Sequence, residues 1–371
     1  MTEIFVHRRM RRRIPQSPSP FRRPRAGVRP AAARGGGGRP GPRRPPGTPP
    51  GRRRQTASRC TCHWRALWQC GAGHRGARRA RPTGRDPMTD AITDQGRKVA
   101  AHWSTLAVSY DGAVSALREA GIDPAAARPE DLHAFDMIHM GGLAATDALA
   151  LQGGIGAGDR VLDVGAGVGG SSRRFADRYG ATVTSVELSE TLAGTAERLN
   201  ALVGLSPRMT VINASALSMP VETGAFDVVV MQHVAMQIAE KDRLFGELAR
   251  ALAPGGRLAL HEIFSGEGEL RWPLAWATDA SMSALEPLDA ALARLRALGL
   301  SPGEFVDESE LGQRFHQGII ARWGAAADEG RSLDGLAPEV LAKRVAASRA
   351  MEHNLRVGSL RVGRLVAVRA A

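Results

Sequence analysis

The sequence predicts a doubly wound α/β domain with a mainly parallel sheet, preceded by a disordered leader and followed by a partly helical cap. Three observations predict it. Short, nearly continuous apolar segments alternate with amphipathic stretches through the middle of the chain. The first of them runs straight into a glycine turn, "VLDVGAGVGG", at residues 161–170. The composition also changes abruptly near residue 87, so averages over all 371 residues describe neither part.

Through Pro87 there are 23 arginines, no lysine, and only Glu3 and Asp86 as acids. The remaining 27 basic residues face 35 acids, so the overall charge of +13 belongs to the leader and not to the body. Residues 1–87, typified by "RPAAARGGGGRPGPRRPPGTPPGRRR", lack the apolar surface that would offset the entropy of ordering and read as disordered. A nucleic-acid arm, a transit peptide and upstream DNA translated from too early a start compete for this stretch. The lysine-free bias favours the last, with "MTDAITDQGRKVAAHW" from Met88 as the expected native beginning. Cys60, Cys62 and Cys70 all lie here, beside His63 and His74, but C-x-C with irregular partners fits no common zinc spacing, and no metal site is expected. The body has no cysteine, which removes disulfides and thiolate catalysis. No apolar run reaches the roughly 18 residues of a membrane span and no secretory signal is visible, so a cytoplasmic protein is expected.

From Met88 the elements follow in order. Residues 88–150 read as N-terminal helices: Val99, Trp103, Leu106, Val114 and Leu117 recur at helical spacing until Gly121, and helix resumes near Leu143. Residues 151–265 form the core, with strands expected at 160–165, 182–188, 209–213, 226–232 and 257–263 and helices at 171–179, 190–203 and 240–252. Such strands argue for a parallel sheet covered on both faces, with ligands beyond the strands' carboxyl ends. Residues 266–371 read as a helical cap with closing strands: "PLDAALARLRALGL" is a helix, "RVGRLVAVRA" alternates as an antiparallel closing strand, and Trp276 and Trp323 lie in the stretch expected to cover the crevice.

Gly165, Gly167 and Gly170 fit a dinucleotide-binding turn equally well. Asp163 discriminates, because a phosphate ligand would not favour a carboxylate two residues before the turn. An ammonium beside a carboxylate, as in the amino-acid end of S-adenosylmethionine, would favour it. The structural alternative is that Asp163 accepts N–H bonds from the turn. Glu187 lies 22 residues after Gly165, close to the roughly 20-residue offset of an acid that binds ribose hydroxyls.

At this point "VLDVGAGVGG", "VTSVELS", "FDVVVMQHV" and "LARALAPGGRLAL" resemble the successive motifs of class I S-adenosylmethionine-dependent methyltransferases, over about residues 130–265. "FDMIHMGGLAATDALA" and "MQHVAMQIAEKDRL" are most similar to the branch with sarcosine/dimethylglycine N-methyltransferases and ubiquinone/menaquinone methyltransferases. The resemblance implies a Rossmann-like, seven-stranded sheet with one reversed strand near the C-terminus, and S-adenosylmethionine as cofactor. It implies that Asp163, Gly165, Ala166, Gly167 and Gly169 hold the methionine end, that Glu187 takes the ribose, and that Leu188 packs on the adenine. Where the family often has Gly-Asp-Ala, this chain has Ala214-Ser215-Ala216; Ser215 can accept a hydrogen bond but without charge. Gln232 and His233 match the lining of the reacting methyl group, and His139 is a residue that could close over the cofactor or act structurally.

His233 is the candidate general base because an unperturbed imidazole titrates near about 6.5; the alternative is a positioning hydrogen bond. Either His261 or Glu262, near the end of the fifth strand, could also face substrate. The net-acidic body points to a small-molecule acceptor rather than nucleic acid, for N-, C- or O-methylation. An NAD-dependent oxidoreductase would leave Asp163 unexplained and lacks a Tyr-x-x-x-Lys pair, the only tyrosines being Tyr110 and Tyr179. A non-catalytic S-adenosylmethionine-binding regulator is the other alternative. The oligomeric state is not readable.

Overall fold

Side chains alternate along the central strands so that both sheet faces are apolar. The computed structural model describes residues 94–137, 139–333 and 337–371. These fall in one compact unit, Arg79–Ala371. The Arg-rich leader, its cysteines and the expected start at Met88 lie outside the described residues.

Helices α1 (Asp94–Leu106), α2 (Tyr110–Glu119), α3 (Pro129–Asp136) and α4 (Gly142–Gln152) precede the sheet. The amphipathic run from 97 to 120, expected to form one or two helices, forms two, divided where Ser109 caps α2, its hydroxyl accepting from the Gly112 N–H. α3 was not expected, although Pro129 at its first position and Asp131, which accepts the Arg128 N–H at 2.8 Å, are ordinary helix-start signals. The core continues with β1 (Arg160–Val164), α5 (Gly170–Arg178), β2 (Thr182–Glu187), α6 (Glu190–Leu202), β3 (Met209–Asn213), β4 (Phe226–Gln232), α7 (Lys241–Ala251) and β5 (Leu252–Ser265). It closes with α8 (Leu288–Ala297), β6 (Leu300–Pro302), β7 (Val306–Asp307), α9 (Ser309–Asp328), α10 (Pro338–Val357) and β8 (Leu360–Arg369).

The strand order is β3-β2-β1-β4-β5-β8-β6, with β7 also on β8. β1 to β5 are parallel, and β8 runs antiparallel to β5 with Leu260 opposite Leu365. The sheet has eight strands rather than seven because its last edge is broken into β6 and β7. The break follows Pro302, which has no N–H for the ladder, and Gly303, whose N–H returns to Val366 O at 2.8 Å. β5 is longer than expected: Leu252 pairs with Phe226 before a register shift accommodates residues 253–256, and regular pairing resumes at Arg257.

Val161, Val183, Val228, Val230 and Ala259 point to one face, where Leu149 and Phe175 cover them. Leu162, Val164, Val229, Met231, Leu258 and Leu260 point to the other, under Leu244, Phe245 and Leu248 of α7. A third apolar cluster joins Met140, Met236, Ile263, Leu274, Trp276 and Met351 under the C-terminal helices.

One ion pair is wholly inside. Arg173 of α5 bonds Asp136 at 2.9 Å, and both side chains are 0% exposed. The guanidinium also donates to Asn200 Oδ1 at 2.9 Å and to Val168 O at 2.8 Å. Removing one partner from such a pair strands the other charge. Asp136→Ala is expected to lower the unfolding free energy by about 3–5 kcal/mol. Asp227→Ala, which removes the partner of half-exposed Arg160, should cost about 1 kcal/mol or less. Urea denaturation of the two variants checks both values.

Candidate functional site

Beyond the carboxyl ends of β1, β2, β3 and β4 lies a cavity of about 1440 Å³. That exceeds the roughly 300–1,000 Å³ of a site for one small ligand and leaves room for two. Asp163, Gly165, Ala166, Gly167, Glu187, Leu188, Ser215, Ala216, Gln232, His233 and His139 all line it. Gly169 does not. It caps α5 in the left-handed conformation, with φ 84°, against the Arg173 guanidinium; its contribution is to the backbone path rather than to a ligand.

The turn after β1 requires glycine for two different reasons. At Gly165 (φ 74°) a Cβ would lie 2.4 Å from Val234 Cγ2, so the turn packs directly against the loop after β4. At Gly167 (φ 57°) a Cβ would meet nothing within 4 Å, because this residue borders the open cavity. The Gly167 N–H donates to Glu187 Oε2 at 2.9 Å, and the Ser189 N–H to Glu187 Oε1 at 2.8 Å. Helix α5 opens at Gly170 with no side-chain cap, so its first N–H groups point at the cavity wall.

Asp163 does not accept from the turn backbone, as the structural alternative held. It is 3% exposed and accepts the Ser172 hydroxyl at 2.5 Å, with Ser185 donating to Ser172 at 2.8 Å. Burial pushes its pKa up to about 6, with the Glu187 charge acting in the same direction. Burial also raises Glu187, against the N–H groups of Ser189, Gly167 and Leu188. Neither carboxylate has a basic side chain against it among the described residues. A carboxylate has about four acceptor sites, so Glu187 retains a free lone pair beside these three N–H groups. The buried Gln232 Oε1 has no partner either.

These donor and acceptor sets fit S-adenosylmethionine end by end: acceptors for an ammonium at Asp163 and Gln232 Oε1, helix N–H groups for a carboxylate, and Glu187 for a diol. Leu188, Ala214, Ser215 and Ala216 line the adjoining part of the cavity, and the Ser215 hydroxyl already accepts the Leu217 N–H at 3.2 Å.

A polar chain crosses the cavity floor. Gln232 Nε2 donates to Ser171 Oγ at 2.7 Å, Ser171 lies 3.2 Å from Thr146 Oγ1, and Thr146 lies 3.0 Å from His139 Nε2. His139 Nε2 is also 3.0 Å from Gly142 O. A carbonyl can only accept, so Nε2 carries the hydrogen and Nδ1 is the imidazole's acceptor. Burial brings His139 down to about 3, keeping the ring uncharged.

His233 is the one described non-glycine residue with a positive φ, 56°. Its backbone N–H donates to His261 O at 2.8 Å and its carbonyl accepts from Gln237 Nε2 at 3.0 Å. The ring centroids of His261 and His139 are 4.7 and 6.0 Å away. Burial, reinforced by the potential charges of His261, His139 and His316, holds its pKa well below the usual imidazole value. A titration near about 6.5, the basis for choosing it as base, therefore does not survive folding; a neutral imidazole over a wider pH range replaces it.

His261 and Glu262 do not line the cavity. Glu262 accepts the N–H groups of Val234 (3.0 Å) and Ala235 (3.2 Å), anchoring the turn that carries His233, and burial raises it to about 7. His261 Nε2 lies 3.3 Å from Glu308. Sequence reasoning missed Trp103, whose indole N–H donates to Gln237 Oε1 at 2.6 Å, and His316 of α9; both line the cavity. Their only sequence signal is helical periodicity, which does not distinguish a cavity wall from a core. No group of three or more His, Cys, Asp or Glu among the described residues could hold a metal ion, and no described helix is long and apolar enough to cross a membrane.

Residues 162–260 match the methyltransferase domain family. Over 101 residues the chain is 38% identical to the chloroplastic tocopherol O-methyltransferase of Arabidopsis thaliana, covering 27% of this chain and 29% of that protein. Over 102 residues it is 33% identical to the sarcosine/dimethylglycine N-methyltransferase of Halorhodospira halochloris, covering 28% and 37%. The matches thus span roughly a third of those relatives. The fold is shared more widely: the geranyl diphosphate C-methyltransferase of Streptomyces coelicolor superposes with a TM-score of 0.55 at 20% identity, over 76% of this chain and 99% of that one. Together with the strand order, the glycine turn and the acid-lined cavity, the match over residues 162–260 makes this part of the chain similar to the methyltransferase domain family.

Proposed function

We propose that this chain transfers the methyl group of S-adenosylmethionine to a small-molecule acceptor. One observation carries the reading: Asp163 and Glu187 are buried at the wall of a two-ligand cavity, beside an uncapped helix N-terminus, with no basic side chain among the described residues to neutralise them. A ligand bringing an ammonium, a carboxylate and a diol answers all three features. Asp163, Gln232 and the Gly165–Gly167 turn would hold the methionine end, Glu187 the ribose, and Leu188, Ser215 and Ala216 the adenine. S-adenosylmethionine bound there supplies an electrophilic methyl carbon on a sulfonium whose departure leaves a neutral thioether, so no acid is needed for the leaving group.

The chain's own work is alignment and exclusion of water. His233 and His139 sit at the end of β4 and ahead of α4, uncharged, where an imidazole can take a proton from the attacking group. The left-handed backbone at His233 is held on both sides by hydrogen bonds, so the ring is aimed by the fold and not by its own rotamer preference.

The reductase alternative loses its proton donors, because neither tyrosine lines the cavity: Tyr110 lies under Arg198, and the Tyr179 hydroxyl donates to Asp147. Incubating the full chain with methyl-labelled S-adenosylmethionine and a metabolite extract tests the proposal. Label in a small molecule is expected; tight cofactor binding with no transfer would favour a regulator, and no binding would overturn the reading.

Gly167→Asp puts a third anion beside Asp163 and Glu187, in a backbone conformation that Asp tolerates better than most residues. It is expected to weaken S-adenosylmethionine binding by about 100-fold, or ~2.7 kcal/mol, in calorimetry on protein whose circular dichroism is unchanged. His233→Ala should lower kcat by about 100-fold or more while leaving cofactor affinity within about threefold. The pH profile of kcat supplies a separate check. A pKa lowered by burial keeps His233 deprotonated to more acidic pH, so turnover should stay level as pH falls through the ordinary imidazole value and drop only below it. An inflection at or above the ordinary imidazole value would reject the role.

A further inference from the structure

The residues assigned to the cofactor leave much of the cavity wall unused. Part of that remainder is an apolar surface, in which Met140, Met236, Ile263, Trp276 and Met351 pack with Phe315. It contains no carboxylate among the described residues. Of the acids that border the cavity, Asp136 is paired with Arg173, Asp163 and Glu187 belong to the β1 and β2 ends, and Glu240 is exposed. Of the basic residues, Lys343 is exposed and Arg344 lies over the Trp323 ring.

Set into this wall is His316 of α9, 4% exposed, with its ring edge-to-face against Phe315. Neither Nδ1 nor Nε2 has a hydrogen-bond partner. Two unsatisfied nitrogens on one buried ring are uncommon and costly, and a ligand group able to donate or accept would satisfy whichever nitrogen it reaches, in either tautomer. Burial alone takes His316 down to about 4, so like His139 it is uncharged. At His316 itself an ammonium would find no counter-charge among the described residues of the apolar surface, and a carboxylate or phosphate would meet a neutral imidazole and methionines, Lys343 being exposed and Arg344 stacked on Trp323. A hydroxyl is complementary to a neutral imidazole in both directions. The tryptophan, phenylalanine and methionine side chains favour a flat, apolar framework.

We infer that the acceptor is an uncharged molecule with an apolar, ring-bearing framework and a hydroxyl group, and that His316 binds that hydroxyl. The inference rests on the methyltransferase reading, which makes this wall the acceptor side.

A matched probe set tests it on the full chain saturated with S-adenosylhomocysteine: 2-naphthol, naphthalene, 2-naphthoate and 2-naphthylmethylammonium, each titrated by calorimetry. 2-Naphthol is expected to bind about tenfold or more tighter than either charged probe and than naphthalene. In His316→Phe, which keeps a ring in the wall, the preference for naphthol over naphthalene should fall to about twofold or less, and His316→Gln should restore part of it. Equal or tighter binding of a charged probe, no measurable binding of naphthol, or an unchanged naphthol-to-naphthalene ratio in His316→Phe overturns the inference. S-adenosylhomocysteine binding is measured first in every variant. If it is lost in the unsubstituted chain, the methyltransferase reading has failed; if it is retained while the probes misbehave, only the acceptor assignment has.

Discussion

The buried guanidinium of Arg173 is the constraint on which the site depends. Taking an arginine wholly out of water costs several kcal/mol unless its donors are met. Here its terminal nitrogens donate to Asp136 at the end of α3, to Asn200 on α6, and to the carbonyl of Val168 inside the glycine turn, while Nε has no partner. Burial pulls the Arg173 pKa down while Asp136 pulls it back, and the guanidinium stays charged, so its place in the interior depends on α3 staying docked. Gly170 packs so tightly on the Asp136 backbone that a Cβ there would come within 2.5 Å of its carbonyl oxygen. One interaction therefore sets the turn's path, the start of α5 and the point at which Met137, His139 and Met140 enter the cavity.

A second anchor acts from the other side. Glu262 holds the N–H groups of Val234 and Ala235, and Val234 in turn touches Gly165. The loop after β4 and the turn after β1 are thus pinned from within the fold, and His233 is carried between them in a conformation it would not adopt alone. Pinning both turns from inside frees their outward atoms, among them a lone pair of Glu187, Gln232 Oε1 and the first N–H groups of α5, for a ligand. Polar groups held in place before the ligand arrives need no reorganisation when it does.

The cavity divides by origin. Its acidic part comes from the strand ends, which any sheet of this topology presents at the same edge. Its apolar part comes from α1, the segment around Trp276, and α9 and α10, which the sheet does not dictate. On the proposed methyl-transfer reading, the fold accounts for the donor and leaves the acceptor to the cap, in keeping with the rule that function resides in sites grafted onto folds.

The core strands, Asp163, Glu187 and the glycine turn were legible in the sequence because their signals are local: two-residue apolar alternation, a run of glycines, and a fixed offset between two acids. Helix α3 carried equally local start signals in Pro129 and Asp131, and they were outweighed by weak periodicity. The broken last strand depends on Pro302 only once β8 is its partner. The part of Gly169 in shaping the turn, the neutral state of His233, the anchoring by Glu262 and the placement of His316 had no sequence signature, since each arises from contact between segments far apart in the chain. The sequence by itself determined the alternation of strands and helices and the chemistry at the first two strand ends, because backbone geometry ties both to residue spacing. Only the tertiary structure decided which histidines are buried, what they face and which charges are paired, because burial and desolvation are properties of packed neighbours.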